Sequence, residues 1–231
     1  MTYNYARFKN SYYDFTAFDG PGRGEQMPDL VLSDLDGNTV RLSDLWDRRI
    51  VIETGSTTCP MYAKGVGSMA AMAERYPDTR FVVIYVREAH PGGRIGPHET
   101  LERKLELAAG LGSAHDEGRM TLVDDVDGTV HRALGSLPDM VYVLAPGGTV
   151  IFRADWNDLD TLEQVLEGDV STDELVREHF PPAKPSPRTA ITTLLSGGIA
   201  ALFDFIVSLP ELMASHRKAD EAFEDRTDTE M

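Results

Sequence analysis

The stretch GSTTCPMY, residues 55 to 62, contains Cys59, the only cysteine of the 231-residue chain. A short run of mostly β-branched residues, RRIVIET, precedes it, and Pro60 follows at a position typical of the first turn of a helix. This pattern predicts that Cys59 lies at the end of a buried strand and at the N-terminus of a helix. Free backbone N–H groups and the helix dipole favour an anion there, so we expect a thiol pKa below its usual value of about 8.5.

Three hydroxyl residues stand just before the cysteine, and we expect them to donate hydrogen bonds to the sulfur or to a bound substrate. The predicted substrate pocket comprises Ser56, Thr57, Thr58, Pro60, Tyr62 and Pro138. The alternative is a cysteine with a packing role only, because free cysteine is among the most buried residue types. A helix-starting proline and a run of hydroxyls beside Cys59 favour the reactive interpretation.

His90 is the second candidate catalytic residue. It follows the next predicted strand, RFVVIYV, in the stretch YVREAHPGG, and parallel strands would bring it to the same edge of the sheet as Cys59. A histidine there can give a proton to a leaving group or stabilise the thiolate, and Glu88 is close to the same edge. An ordinary loop histidine is the alternative for His90, and the residues leave both interpretations open.

The order of the predicted elements supplies the sheet that these residues need. The stretch DLVLSDLDGNTVRLSDL alternates apolar residues about Asp36 and Gly37 and predicts a hairpin, and the runs at 48–54 and 80–86 are typical of buried parallel strands. Helices are predicted between those two runs, at 99–112 and near 158–168. The stretch MTLVDD predicts a further strand, and MVYVLAPGGTVIFRAD predicts two strands joined by a turn. This order predicts an α/β protein with a thioredoxin-like fold, in which helices flank a central mixed sheet.

Pro138 precedes the strand predicted in GSLPDMVYVL, where thioredoxin-like folds place a cis-proline beside the reactive sulfur. A plain loop proline is the alternative. His98, His115 and His131 have no ligand-like spacing with one another, so we expect no metal site.

The sequence outside the sheet region divides into segments of different composition. The predicted segments are an N-terminal aromatic arm at 1–27, the thioredoxin-like domain at 28–168, a helix with a Pro-rich linker at 169–188, an apolar helix at 189–216 and an acidic tail at 217–231. Seven Tyr and Phe residues of the arm follow no regular period, which indicates a segment lying on its own domain or on a partner chain. The tail is expected to be solvated and disordered.

The apolar helix predicts a contact surface. Its composition approaches that of a membrane-spanning helix, but Asp204, the Gly197–Gly198 pair and Pro210 weaken that interpretation. One helical stripe contains Ile191, Leu195, Leu202, Ile206 and Leu209, whereas Thr193, Gly197, Ala200 and Asp204 face away. A docking or dimerisation helix is favoured over a membrane-surface helix, and a homodimer through the arm or this helix is expected.

Composition excludes several classes of partner. A formal charge of −16 repels phosphate backbones and anionic headgroups, so binding to nucleic acid is not expected. A single cysteine excludes an internal disulfide and suits a reducing compartment. The stretch MTYNYARFKNSYYDF has no apolar run of a signal peptide, so we expect a cytoplasmic protein.

Three ordered stretches, VIETGSTTCPMY, FVVIYVREAHPGG and DDVDGTVHRALGSLPDMVYVLAPGGTVIFRADW, together resemble the iodothyronine deiodinases and their bacterial redoxin relatives over roughly residues 28 to 160. The resemblance implies that Cys59 replaces the selenocysteine nucleophile, that Glu88 and His90 lie near the substrate, and that Pro138 shapes the pocket. HPGGRIGP stands where the family has Asp-Gly-Trp. The membrane anchor of the animal enzymes has no counterpart in this sequence, and the stretch 181–231 has no counterpart in the family.

Three functions follow from these observations. The first is a thiol-dependent oxidoreductase of the deiodinase-like redoxin kind, in which the Cys59 thiolate attacks an aryl halide or a peroxide and an external thiol restores it. We expect an external thiol such as glutathione, mycothiol or thioredoxin, no bound cofactor and a small-molecule substrate. A one-cysteine thiol peroxidase is the second, although the peroxiredoxin pattern has proline where Ile52 stands. The third is a non-catalytic redoxin-fold protein for binding or oligomerisation.

Overall fold

The computed structural model describes residues 3–168 and 177–230. One mixed sheet of seven strands lies at its centre, in the order β2-β1-β5-β4-β3-β6-β7. The strands are β1 (Val31–Ser33), β2 (Thr39–Arg41), β3 (Ile50–Gly55), β4 (Arg80–Tyr85), β5 (Met120–Val123), β6 (Val141–Leu144) and β7 (Val150–Ala154). The helices are α1 (Pro60–Arg75), α2 (Leu101–Ala109), α3 (Leu111–His115), α4 (Thr129–Leu134), α5 (Leu159–Glu167), α6 (Pro187–Gly197) and α7 (Ile199–Glu230).

The predicted thioredoxin-like arrangement is confirmed. Strand β3 pairs in parallel with β4 and antiparallel with β6, and every residue of β3 is buried, as its β-branched sequence requires. Strands β1 and β2 form the predicted hairpin about Gly37, and β6 and β7 form the second hairpin. Because β3 and β4 are parallel, their carboxyl ends meet at one edge, where the loops after Gly55 and Tyr85 lie side by side.

Two details of the domain differ from the prediction. The helix expected at 99–112 is divided at Gly110 into α2 and α3. Helix α4 was not predicted, because six residues are too few for a helical period to show in a sequence.

The aromatic arm lies on its own domain. Tyr3, Tyr5, Phe8, Tyr13, Phe15 and Phe18 are all buried. Three of these rings surround the guanidinium of Arg87, which lies 5.1, 5.1 and 4.6 Å from the ring centres of Tyr3, Tyr5 and Tyr13. Arg87 also donates to the carbonyl oxygens of Tyr3, at 3.0 Å, and Tyr12, at 3.2 Å. The arm is thereby fixed to the loop that follows β4.

The C-terminal part of the chain corrects three expectations. Gly197 and Gly198 break the predicted apolar helix into α6 and α7, and α7 continues through the tail to Glu230, where disorder was expected. Thr193 and Gly197, expected to face away from the docking stripe toward solvent, are buried, while Ile191 and Ile206 of the stripe itself are exposed. The helix expected in 169–188 falls largely on residues 169–176, which lie outside the described residues, and 177–186 contain no helix.

Helix α7 is long and apolar enough, by length and composition, to cross a membrane, with a mean hydropathy of 1.3 in its most apolar window. Its inner face packs on the domain. Leu212 and Ala219 are buried in the core, Ser215 accepts a hydrogen bond from Asn10 at 2.7 Å, and Asp204 pairs with Arg7. The helix therefore covers the arm, and the arm in turn covers the loop after β4.

Candidate functional site

Cys59 occupies the predicted position between β3 and α1. It is the N-cap residue of α1, and Pro60 is the first helical residue. The Cys59 N–H donates to the carbonyl of Ser56 at 3.3 Å, and the Cys59 carbonyl accepts from Ala63 at 3.0 Å, so the backbone turns sharply from strand to helix. The side chain is only 1% exposed and belongs to a small apolar cluster with Tyr62.

The thiol pKa is raised, whereas the sequence predicted that it is lowered. Burial raises the pKa of Cys59 well above its ordinary value, and the negative charge of Asp139 raises it further. The backbone N–H groups of Tyr62 and Met61, at the start of α1, lower it by less. The prediction counted the helix terminus but not the desolvation, which disfavours a thiolate in an apolar cluster. Cys59 is therefore a neutral thiol in this conformation.

Glu88 anchors the loop before Cys59. Its Oε2 accepts the backbone N–H of Thr58 at 2.9 Å and the Thr58 hydroxyl at 2.6 Å, and Oε1 accepts the Tyr85 hydroxyl. The Nε2 of His98 lies 3.5 Å from Oε1. Burial alone would raise the pKa of Glu88, but His98, Thr58 and Tyr85 together hold it below its ordinary value. The carboxylate is thus ionised and fully engaged.

The hydroxyls of residues 56 to 58 form hydrogen bonds that join the two loops at the sheet edge. The sequence had predicted hydrogen bonds to the sulfur or to a substrate. Ser56 Oγ accepts the N–H of Ala89 at 3.2 Å, and Thr57 Oγ1 lies 3.3 Å from the Tyr85 hydroxyl. Thr58 Oγ1 accepts the N–H of His90 at 3.0 Å while it donates to Glu88. The structure therefore gives these hydroxyls a positioning role.

His90 lies at the same edge of the sheet as Cys59, as predicted from the parallel strands. It is buried, its ring contacts the rings of Phe8 and Phe205 at centre distances of 4.4 and 5.3 Å, and Nδ1 has no hydrogen-bond partner among the described residues. Burial lowers the pKa of His90 to about 4, against the opposing charges of Glu88 and Asp204. The imidazole is therefore neutral at neutral pH.

Asp139, which was not among the predicted site residues, is a buried acid whose negative charge raises the pKa of Cys59. Its Oδ1 has no hydrogen-bond partner among the described residues. Burial raises the pKa of Asp139 well above its ordinary value, the charge of Glu53 adds to this, and Arg119 opposes it. A sequence signal existed, because a lone acid stands between Pro138 and a buried strand.

A second buried charge network lies under α1. Arg119 pairs with Glu53 at 2.7 Å and with Glu117 at 2.5 Å, and the Tyr62 hydroxyl donates to Glu117 at 2.7 Å. Tyr62, predicted for the substrate pocket, is thus held by an internal hydrogen bond and is fully buried. Glu53 was visible in the sequence as the single carboxylate in an otherwise uncharged strand.

Pro138 does not have the predicted cis peptide bond. No peptide bond among residues 3–168 and 177–230 is cis. The preceding carbonyl, of Leu137, accepts the Nε2 of His131 at 2.7 Å, which fixes the approach to β6 with a trans bond. Within the same described ranges, no group of three or more His, Cys, Asp and Glu side chains has the geometry to hold a metal ion.

A polar cavity of about 460 Å³ lies beside the Cys59 loop, between α3 and α6. Its wall includes Ala63, one turn after Cys59, and His115, whose Nε2 lies 2.8 Å from the carbonyl of Thr57. Arg188 and several hydroxyl side chains of α6 line the opposite wall. The cavity has the volume of a small-molecule site, but the thiol does not line it.

No protein-family model matches this chain, and no curated protein sequence matches it. Solved structures resemble it. A hypothetical protein from Sinorhizobium meliloti is 21% identical over 66% of this chain and 88% of its own, with a TM-score of 0.53. An uncharacterized conserved protein from Geobacillus kaustophilus is 19% identical over 71% and 94%, with a TM-score of 0.52. A candidate thiol:disulfide interchange protein DsbE from Chlorobium tepidum is 16% identical over 64% and 98%, with a TM-score of 0.52. These similarities establish that this chain has a thioredoxin-like fold.

Proposed function

We propose that this protein is a thiol-dependent oxidoreductase whose nucleophile is Cys59. The observation that carries the proposal is the place of Cys59 in a thioredoxin-like fold, at the N-cap of α1 and next to the loop that contains Glu88 and His90. The candidate DsbE protein is named for thiol–disulfide interchange, but position 62 of this chain is Tyr, so no second cysteine can close an internal disulfide. The oxidised sulfur must therefore be reduced from outside.

The proposed peroxide cycle consumes two external thiols. The sulfur of Cys59 attacks one peroxide oxygen, an S–O bond forms, the O–O bond breaks, and the thiol proton leaves with the alcohol, so Cys–SH and ROOH give Cys–SOH and ROH. One external thiol, RSH, converts Cys–SOH into a mixed disulfide and water. A second RSH releases RSSR and restores Cys59. Glutathione, mycothiol or thioredoxin would supply these thiols.

The deiodinase-like reaction has the same thiol stoichiometry. The sulfur takes the iodine of an aryl iodide, ArI and Cys–SH give ArH and Cys–SI, and two thiols then release HI and RSSR. Its support is the resemblance of the Cys59, Glu88 and His90 stretches to that family. We assign His90 to proton handling, since its Nδ1 has no partner, and Glu88 to positioning, since both of its oxygens are occupied. Pro138 and Asp139 would line the approach to the sulfur.

The decisive experiment compares wild type with Cys59→Ser, in excess thiol, on hydrogen peroxide and on thyroxine. Peroxide consumption by wild type alone supports a one-cysteine peroxidase, and iodide release by wild type alone supports deiodinase-like chemistry. Either result supports the general proposal. Equal rates for the two proteins with both substrates would overturn it.

A non-catalytic protein is the second candidate, and one observation favours it. Cys59 is 1% exposed and its pKa is raised by burial, as in a cysteine that only packs. Native alkylation separates the two candidates, since a purely structural thiol reacts only when the protein unfolds globally.

We further propose a homodimer through the outer face of α7. Its exposed apolar residues are Ile199, Phe203, Ile206, Val207, Leu209 and Met213. A large side chain that is about 60% exposed presents roughly 100 Å², so these six side chains offer about 600 Å² for the centre of an interface that buries about 800 Å² per partner. Residues 199–216 contain no Lys or Arg, unlike helices that bind anionic membranes. A second copy is therefore the better occupant.

Phe203→Glu tests the dimer, with Glu211→Gln, an exposed polar site of the same helix, as the control. Analytical ultracentrifugation should give a dimer for wild type and the control and a monomer for Phe203→Glu. A monomeric wild type that sediments with vesicles of neutral lipids would identify a membrane face instead. A single cysteine suits a reducing compartment, so we propose the cytoplasm as the location.

A further inference from the structure

The junction of α6 and α7 lies directly on the loops that contain Thr58 and His90. We call residues 195–205 around this junction the elbow. A Cβ atom placed on Gly197 would lie 2.5 Å from the carbonyl oxygen of His90 and 3.2 Å from the Thr58 methyl carbon, so only glycine fits there. The Gly197 carbonyl accepts the N–H of Arg94 at 3.0 Å. Backbone therefore packs on backbone at this point.

Two further contacts tie the elbow to the Cys59 loop. The Ser196 hydroxyl lies 3.4 Å from the carbonyl of Thr57, two residues before Cys59. The ring of Phe205 meets the ring of His90 edge to face, at a centre distance of 5.3 Å. The elbow thus contacts Thr57, Thr58 and His90 at the candidate site, and also residues 92–94 of the following loop. Asp204, near its end, pairs with Arg7 of the arm.

Helix α6, which leads into the elbow, is held along one side only. The polar cavity of about 460 Å³ separates α6 from α3, so α6 packs on α1 and the Cys59 loop but leaves its other side open. An element with an open flank is the kind that opens locally at low free energy.

We propose that the elbow is a gate over Cys59, and that the thiol reacts only in a minor conformation in which the elbow has left Thr58 and His90. This gate rests on the proposed function for its purpose, since a nucleophile that is 1% exposed must be uncovered before a substrate can reach it. In the open conformation the cavity between α3 and α6 would join the space above Cys59, which would give a small polar molecule an entrance. Exposure to water would also return the thiol pKa toward its ordinary value.

Native alkylation of the full chain tests the gate, because Cys59 is the only thiol that can react. Gly197→Ala adds one methyl group against the His90 carbonyl and should accelerate alkylation by iodoacetamide at least tenfold. Gly93→Ala is the matched control, since a Cβ on Gly93 meets no atom within 4 Å, and its rate should equal that of wild type. If helix propensity alone decided the result, Gly197→Ala would slow alkylation, because alanine stabilises a helix relative to glycine.

A second pair of variants covers the case in which Gly197→Ala fails to fold. Phe205→Ala removes the contact with His90 and should also accelerate alkylation, whereas the exposed Phe203→Ala should not. Rates are measured in increasing urea below the unfolding transition. Local opening exposes little surface, so a gate predicts that the alkylation rate increases only weakly with urea concentration. An increase as steep as that expected from global unfolding would overturn the proposal. Rates in Gly197→Ala and Phe205→Ala equal to wild type would overturn it too.

The alkylation test of the gate does not depend on whether the protein turns over a substrate. Faster alkylation of Gly197→Ala, without any turnover of peroxide or aryl iodide by wild type, would support the gate and overturn the proposed function. Turnover by wild type, with alkylation unchanged in Gly197→Ala, would support the function and overturn the gate.

Discussion

Thr58 donates both its backbone N–H and its hydroxyl to one oxygen of Glu88, at 2.9 and 2.6 Å. This pair connects the loop after β3 to the loop after β4, and it fixes the residue that precedes the cysteine. A buried, ionised carboxylate keeps such a position only while its donors remain, because an unpaired charge in the interior is strongly unfavourable.

Thr58→Val should therefore destabilise the protein by about 1–3 kcal/mol, since it removes the hydroxyl and leaves the Glu88 oxygen with one donor fewer. Thr58→Ser keeps both donors and should lower the free energy of unfolding by less than about 1 kcal/mol, mainly because a methyl group is lost. Urea unfolding of the two variants measures the difference. Equal destabilisation by Val and Ser would show that the methyl group, and not the hydrogen bond, matters at this position.

The raised pKa of Cys59 predicts how stability depends on alkaline pH. A folded-state pKa above the unfolded value of about 8.5 gives a stabilising contribution that is full below that pH. This contribution decreases as pH rises above the unfolded-state pKa, because the unfolded chain releases its proton first. It is gone once the pH has passed the folded-state pKa. The free energy of unfolding should fall between pH 8.5 and 10 in wild type and fall less in Cys59→Ser. Parallel pH profiles of the two proteins would contradict a raised thiol pKa.

Arg87 should be the residue on which docking of the aromatic arm depends most. Its guanidinium contacts the rings of Tyr3, Tyr5 and Tyr13 and donates to two arm carbonyls, so Arg87→Met should destabilise the protein by about 2–4 kcal/mol. Arg132→Met is the matched control, because Arg132 lies at the same 5.1 Å from the Tyr3 ring but is exposed. Its effect should stay below about 1 kcal/mol. Similar unfolding midpoints for the two variants would refute this prediction.

His179 joins α7 to the sheet in a way that depends on pH. Its Nδ1 lies 2.5 Å from Asp155, at the end of β7, and its Nε2 lies 2.9 Å from Asp220 on α7. Phe223 stacks on the ring at 4.4 Å, and burial together with the charge of His179 lowers the pKa of the nearby His216. Burial would lower the pKa of His179, but the two aspartates raise it above its ordinary value of about 6.5.

This arrangement stabilises the docked helix at pH below about 6.5, and the contribution disappears as pH rises through the folded-state pKa of His179. Hydrogen exchange of the α7 amides should therefore quicken, relative to the β3 amides, as pH rises from about 6.5 through the folded-state pKa of His179. His179→Gln should abolish that relative change, whereas His115→Gln, a change in α3 where the ring contacts the Thr57 carbonyl, should leave it intact. A wild-type ratio that stays constant over this range would exclude the predicted link.

The carboxyl-edge arrangement of the site could be predicted from the sequence. Apolar runs at 48–54 and 80–86 required adjacent parallel strands, and parallel strands necessarily bring Cys59 and His90 to the same edge. Pro60 likewise fixed the start of α1 through its locked φ angle and its missing N–H. These inferences succeed because they depend on local pattern and on the period of a strand.

Burial, in contrast, was decided only by the tertiary structure. Sequence alone placed Cys59 at a helix terminus and predicted a low thiol pKa, but the apolar cluster and Asp139, 80 residues away, reverse the direction. It also placed the hydrophobic stripe of the last helix toward a partner and missed that small residues such as Gly197 pack inward. Close backbone packing selects small side chains and leaves no periodic signal. Local chemistry and strand order were therefore written in the sequence, whereas desolvation and the covering of the thiol arise from contacts between residues far apart in the chain.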